Sequence, residues 1–390
     1  MDLLSHVLLA AAIAGLAIVA VSHLALWRHL RVPEAAPRRS PPASILKPLC
    51  GLDDDLLANL ASFARLDYPE YEVLLGLRSL DDAALPVAHE AMRRWPGTFR
   101  VVLQRGEPGM NPKVNQLLTL AREARHGVLV VSDSNVRVEP GYLAGIAAAL
   151  DDEEVGLVTH PIAGLGGLRA GSIMDHLHLA GAIAPGVVAA KRLAGRDFVV
   201  GKSMALRRRD LERMGGFEAV KDVLAEDWVI GVRVGRVLGK RVAVAHRPIL
   251  DVSARRSVGE FASRHARWSV LQRQAVGPLV HGAQVFMNPV LLACGALALA
   301  PGPRSLAAAL LVCGAKAALD GASARALHSP GFTLRQLALV PVKDLVHGAA
   351  FAWGMFRRDV VWRGTRLVVR RGTRVERPRE AGAGYEVAGA

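Results

Sequence analysis

Gly127-Val128-Leu129-Val130-Val131-Ser132-Asp133-Ser134-Asn135 is a short apolar run that ends on a carboxylate. Its branched side chains and the turn-forming residues after it predict a strand buried on both faces. Burial on both faces marks a largely parallel sheet covered by helices. A charge immediately after such a strand lies at the carboxyl edge of the sheet, where open α/β sheets bind their ligands. Two later segments extend the pattern. Ala225-Glu226-Asp227-Trp228 sets two acids at the predicted start of a helix, and Arg264-His265-Ala266-Arg267-Trp268 combines guanidinium with indole. Carboxylates that bind a metal or accept a proton, followed by a basic-aromatic segment, suit chemistry on a diphosphate-linked substrate.

Outward from this strand, the chain alternates. Residues 44–46, 72–77, 99–103 and 127–132 have strand character, while 56–66, 81–95, 114–125 and 140–150 have helical spacing. Strands alternating with helices of this length predict an α/β domain with a mainly parallel sheet. From 155 the rhythm loosens, and the Gly-, Ala- and His-rich stretch 160–196 is expected on a membrane surface. Order resumes at 198–206, 208–214 and 225–238.

The ends are apolar. Residues 7–26 are long enough to cross a bilayer as a helix. No basic side chain precedes them, whereas Arg28, Arg31, Arg38 and Arg39 follow, which predicts an uncleaved anchor with the next segment on the cytoplasmic side. After Gln274, residues 276–300, 306–319 and 332–356 are candidate spans. Lys316, Lys343 and Asp344 interrupt them and require pairing or a protein interior. Two crossings would leave the basic end inside and three would leave it outside. The expected organisation is an anchor over 1–29, a linker over 30–43, a catalytic domain over 44–274, a membrane region over 275–356 and a basic tail over 357–390.

Composition agrees with such a mixture. The 390 residues are 51% hydrophobic and carry a formal charge of +14, from 49 basic and 35 acidic side chains, with a mean hydropathy of +0.25. Much of the basic excess flanks apolar runs, which favours anionic headgroups over nucleic acid. Cys50, Cys294 and Cys313 lack metal-ligand spacing, and no disulfide framework is expected.

Asp133 is the candidate ligand for Mg2+ or Mn2+, because hard cations take carboxylate oxygen and complete their shell with substrate phosphate. Asp82 follows the second strand at a plausible nucleotide-binding edge, or is simply a favourable charge at a helix start. Asp227 is the candidate base for an acceptor hydroxyl. Arg264, Arg267 and Trp268 share one helical face, suited to diphosphate oxygens and sugar stacking. Lys113, in Asn111-Pro112-Lys113-Val114-Asn115, is a candidate phosphate contact. His160, His176 and His178 lack a convincing metal-ligand set.

The chain resembles the ceramide glucosyltransferase family (family 21 glycosyltransferases) and its bacterial hopanoid-associated relatives. Residues 45–49, 66–69, 71–75, 111–115, 132–138, 200–204, 225–228 and 264–268 carry the resemblance by their order and spacing. It implies a GT-A nucleotide-sugar-binding fold and inverting transfer from a UDP-sugar to a membrane lipid hydroxyl at the cytoplasmic face. Carried over, Asp82 is the nucleotide-side aspartate, Asp133 the metal-side one and Asp227 the base, with Arg264, Arg267 and Trp268 as the Arg-Trp motif. Ser79 stands where the family often has another Asp, and residues 180–196 match poorly. The leading expectation is glucose transfer from UDP-glucose to ceramide. The alternatives are UDP-N-acetylglucosamine transfer to a hopanoid, a processive polysaccharide synthase, a non-catalytic nucleotide-sugar-binding adaptor and, weakest, a nucleic-acid binder.

Overall fold

The computed structural model describes residues 3–362 and 365–377. Strands β1 (Ala43–Pro48), β2 (Tyr71–Leu77), β3 (Phe99–Leu103) and β4 (Val128–Ser132) alternate with the helices Leu56–Phe63, Leu85–Arg94 and Pro112–Glu123. They are followed by β5 (Val136–Arg137), β6 (Val155–Thr159), β7 (Ile162–Leu165), β8 (Ser203–Arg207), β9 (Arg241–Val244) and β10 (Ile249–Val252). The main sheet has seven strands in the order β3-β2-β1-β4-β8-β6-β9. Six run in one direction and β8 runs against both its neighbours. A smaller sheet, β5-β10-β7, sits at the carboxyl end of β4. The arrangement is the expected GT-A fold.

Alternation along β1 and β4 explains the two-sided core. Ile45 and Val130 pack on one face with Leu75 and Phe63, while Leu46, Leu129 and Val131 pack on the other with Leu74, Leu117 and Val234. Successive side chains point to opposite faces, so each helical layer receives its own apolar set. The Pro112–Glu123 helix starts where it does because Asn111 caps it, accepting from the Lys113 and Val114 amides, and proline occupies its first turn.

Residues 160–196 depart from expectation. They form β7 and then a helix over Ala170–Ala194, interrupted by a π-turn at Leu179–Ile183. Among the described residues, this helix is one of three long and apolar enough to cross a membrane, with Leu3–Leu30 and Pro303–Ala326. In the most apolar stretch of Ala170–Ala194, 67% of the residues are buried inside the protein, against 22% for Leu3–Leu30. It therefore runs through the protein's interior rather than over a surface. The expected span 276–300 is broken, since Pro278–Met287 and Pro289–Leu299 meet at 77° with Asn288 capping the second helix. The charges within the apolar helices are paired. Lys343 contacts Asp320 at 3.1 Å and Asp344 at 2.9 Å, and Lys316 also bonds Asp320.

The basic end is more than a tail. Strands β11 (Asp359–Trp362), β12 (Thr365–Val369) and β13 (Val375–Glu376) form an antiparallel sheet. Val360, Leu367, Val369 and Val375 pack on Leu224 and on Val270 of the Val258–Val276 helix. Residues 363–364 and 378–390 of the expected tail lie outside the described residues.

Candidate active site

Asp133 leaves the end of β4 into a cavity of about 840 Å3. Lys113, Asp227, Arg264, Arg267 and Trp268 also line it. Six of the seven candidates are therefore brought together from four separate regions of the chain. Asp82 is not among the lining residues. Its Oδ1 accepts the Gly51 and Ala84 amides, each at 2.9 Å, tying the loop after β1 to the loop after β2. It acts there as a backbone tie at a helix start. A second groove of about 850 Å3 shares Asp53 with the cavity but has none of these six residues.

Lysines surround Asp133. Lys113 Nζ lies 2.8 Å from Asp133 Oδ1 and 3.0 Å from Glu226 Oε1, and donates to the Gly201 carbonyl at 3.2 Å. Lys202 Nζ is 3.5 Å from Asp133 Oδ2, 2.8 Å from Asp251 Oδ1 and 2.6 Å from Asn135 Oδ1. Lys47, fully buried in β1, donates to the Asp133 carbonyl at 2.7 Å and sits over the Phe63 ring. Burial alone would raise the Asp133 carboxyl pKa; the Lys113 and Lys202 ammoniums outweigh it and hold Asp133 well below the ordinary carboxylate range. Burial pushes Lys47 down to about 7, against the opposing pull of Asp133 and Asp53.

Asp227 opens the Glu226–Leu238 helix. Its Oδ2 accepts the Gly201 amide at 2.7 Å and its Oδ1 accepts the Trp228 amide at 2.8 Å. Burial, followed by the adjacent Glu226 carboxylate, raises its pKa to about 6 even though Lys113 and the two amides oppose the shift. Two carboxylates in one cavity are thus driven apart, one firmly ionised and one poised to exchange a proton.

The Val258–Val276 helix closes the opposite wall. A capping box of Ser257 and Glu260 fixes its start. Arg264 reaches Asp175 at 3.3 Å and stacks over the Trp268 ring with 4.4 Å to the centroid. Ile162, Leu179, Ile183 and Val200 give the cavity an apolar side, and Trp362 of β11 reaches it from the C-terminal sheet.

Lys47, Lys202, Asp251 and Gly201 also hold the site, and the sequence assigns none of them a role of its own. Lys47 carried a readable signal, an ammonium inside an otherwise apolar strand. Asp251 carried none, because only the pairing of β10 with β5 brings it to Lys202.

The oxygens around Lys113 bear on the implied divalent cation. Asp133 Oδ1, Glu226 Oε1 and the Gly201 carbonyl converge on one ammonium. Hard cations take an oxygen set of this kind. The donor set around Asp133 therefore suits such an ion.

The sheet with this cavity at its carboxyl edge defines the GT-A class of fold. The sequence pattern of glycosyl transferase family 21 matches residues 7–375, and the chain belongs to that family. It is 29% identical over 268 residues to ceramide glucosyltransferase 3 of Caenorhabditis elegans, covering 65% of this chain and 55% of the relative. It is 30% identical over 243 residues to ceramide glucosyltransferase 1 of the same organism, covering 60% and 50%. The chain thus spans about half the length of these curated relatives. Among solved structures, it is similar to a Pyrobaculum calidifontis mannosyltransferase in complex with GDP-Man and Mn2+. That match has 21% identity and a TM-score of 0.44, and covers 89% of this chain and 99% of the other.

Proposed function

We propose that this protein transfers a sugar from a UDP-sugar to a membrane lipid hydroxyl with inversion, the pair being UDP-glucose and ceramide. The observation that carries the reading is the shared cavity of Asp133 and Asp227, with lysines on the first and a backbone amide fixing the second. The ceramide glucosyltransferase relatives support the donor and acceptor.

In this account the diphosphate lies among Lys113, Lys202, Arg264 and Arg267, beside the first turn of the Val258–Val276 helix. Guanidinium and ammonium groups neutralise the charge that develops on the leaving UDP, and that helix end adds its dipole. Asp133 would hold the divalent cation, which when bound would add charge stabilisation to the diphosphate. The acceptor hydroxyl points at Asp227, which takes its proton as the oxygen attacks the anomeric carbon and the bond to phosphate breaks. Trp268 walls the sugar, while Leu179 and Ile183 lead the lipid in along the apolar side.

Mass spectrometry of products tests this directly. Purified protein with Mg2+ or Mn2+ is offered ceramide and hopanoid acceptors with UDP-glucose or UDP-N-acetylglucosamine. Hexose added to ceramide is the expected result. N-acetylhexosamine on hopanoid would keep the mechanism and replace the substrates. No product from any pair, in protein that binds UDP, would overturn the proposed pair.

A further inference from the structure

Three histidines meet away from the carboxylates. His178 ends the Ala170–His178 helix, His265 lies in Val258–Val276 and His347 in Val340–Phe356. Each offers one ring nitrogen, and these atoms lie within 4.8 Å of one another. The ring centroids are separated by 4.4 Å (178–265), 4.6 Å (178–347) and 5.3 Å (265–347).

Two observations go beyond aromatic packing. His178 is only 6% exposed, and its Nδ1 is buried with no hydrogen-bond partner among the described residues. Leaving such an atom unsatisfied is costly, and a metal bond would satisfy it. His265 Nε2 lies 3.1 Å from Asp175 Oδ1. A carboxylate that holds one imidazole nitrogen orients the ring and makes the other nitrogen a better ligand, the usual support for a metal-bound histidine. Neighbouring cations have their own counter-charges: Arg256 and Arg264 on Asp175, Lys316 on Asp320, and Lys343 on Asp320 and Asp344.

We propose that His178, His265 and His347 form a binding site for a divalent transition ion of the Zn2+ class, separate from the oxygen site at Asp133. Three imidazoles suit Zn2+ rather than Mg2+, and bonds of roughly 2.0–2.1 Å draw the nitrogens together with small side-chain movements. The ion ties three helices at one point. Because His265 lies between Arg264 and Arg267, it also fixes how that helix presents its cavity-lining face. The three histidines are positioning residues.

The test uses the full chain in detergent, stripped with chelator and titrated with Co2+ and Zn2+. Wild-type protein should bind one Zn2+ per chain by elemental analysis, show the visible absorption of nitrogen-bound Co2+, and gain thermal stability with Zn2+. His178→Gln and His347→Gln should lose all three responses, while Asp133→Asn keeps them. Stripped wild-type protein that shows neither Co2+ absorption nor a Zn2+-dependent stability gain would overturn the proposal without relying on a variant. Equal binding by both glutamine variants would also overturn it.

Discussion

The Gly201 amide donates to Asp227 Oδ2 at 2.7 Å, and a Cβ built on Gly201 would lie 2.6 Å from that oxygen. The glycine thus permits the close approach that holds the proposed base. Its carbonyl accepts from Lys113, so one peptide segment joins the Asp227 and Asp133 halves of the cavity.

Gly201→Ala should displace the Asp227 carboxylate while leaving the diphosphate side in place. A misplacement on the order of 1 Å costs about 100-fold in rate. Steady-state kinetics should show kcat falling by about that factor with donor KM little changed. Gly186→Ala is the control, because nothing beyond its own helix backbone lies within 4 Å of the added Cβ; it should behave as wild type.

The pH dependence follows from the sign of the Asp227 shift. Its carboxyl pKa is raised to about 6 by burial and Glu226, and only the ionised form accepts a proton. The kcat/KM profile should fall about tenfold per pH unit below that value. Asp133, held low by its lysines, stays ionised throughout and adds no limb in this range. A profile flat down to pH 5 would contradict the assignment.

How much of this was legible before the structure depends on whether a residue's role is local. Asp133 and Asp227 declare themselves because each terminates or starts an element whose pattern is visible in a few neighbours. Of the two readings the sequence leaves open for Asp82, the folded loops show the helix-start one, with its carboxylate turned toward Gly51 and Ala84. The helix Ala170–Ala194 was missed for a different reason. Its π-turn at Leu179–Ile183 shifts the phase of the apolar pattern midway, so no single helical period fits residues 160–196. In the C-terminal sheet, arginines on the outer face masked the inward set Val360, Leu367, Val369 and Val375.

Lys113 joins Asp133 to Glu226, whose side chain is only 7% exposed. Lys113→Ala leaves Glu226 without its counter-charge, and breaking a buried pair from one side costs about 3 kcal/mol or more. The variant should unfold at lower denaturant concentration and bind UDP more weakly. Lys113→Ala with Glu226→Gln should recover stability but not UDP affinity, which separates the two roles of the lysine.

Asp320 is fully buried and carries both Lys316 and Lys343. Asp320→Ala would strand the Lys316 ammonium inside the helical bundle and leave Lys343 with Asp344 alone, at about 3–5 kcal/mol. Thermal unfolding in detergent should fall sharply, and a midpoint within a degree or two of wild type would show that the pairs do not form in the folded protein. The same helices support the π-turn that bears Leu179 and Ile183 on the cavity wall, so the variant should also lose lipid transfer.

The most direct test of the central claim is to measure UDP affinity and sugar transfer together in Asp227→Asn. The side chain keeps its size and leaves the Lys113, Lys202, Arg264 and Arg267 contacts intact. The account predicts UDP binding within a few-fold of wild type by calorimetry. Transfer to lipid should drop by about 100- to 10,000-fold, the usual contribution of a general base. Turnover near wild type would contradict Asp227 as the base.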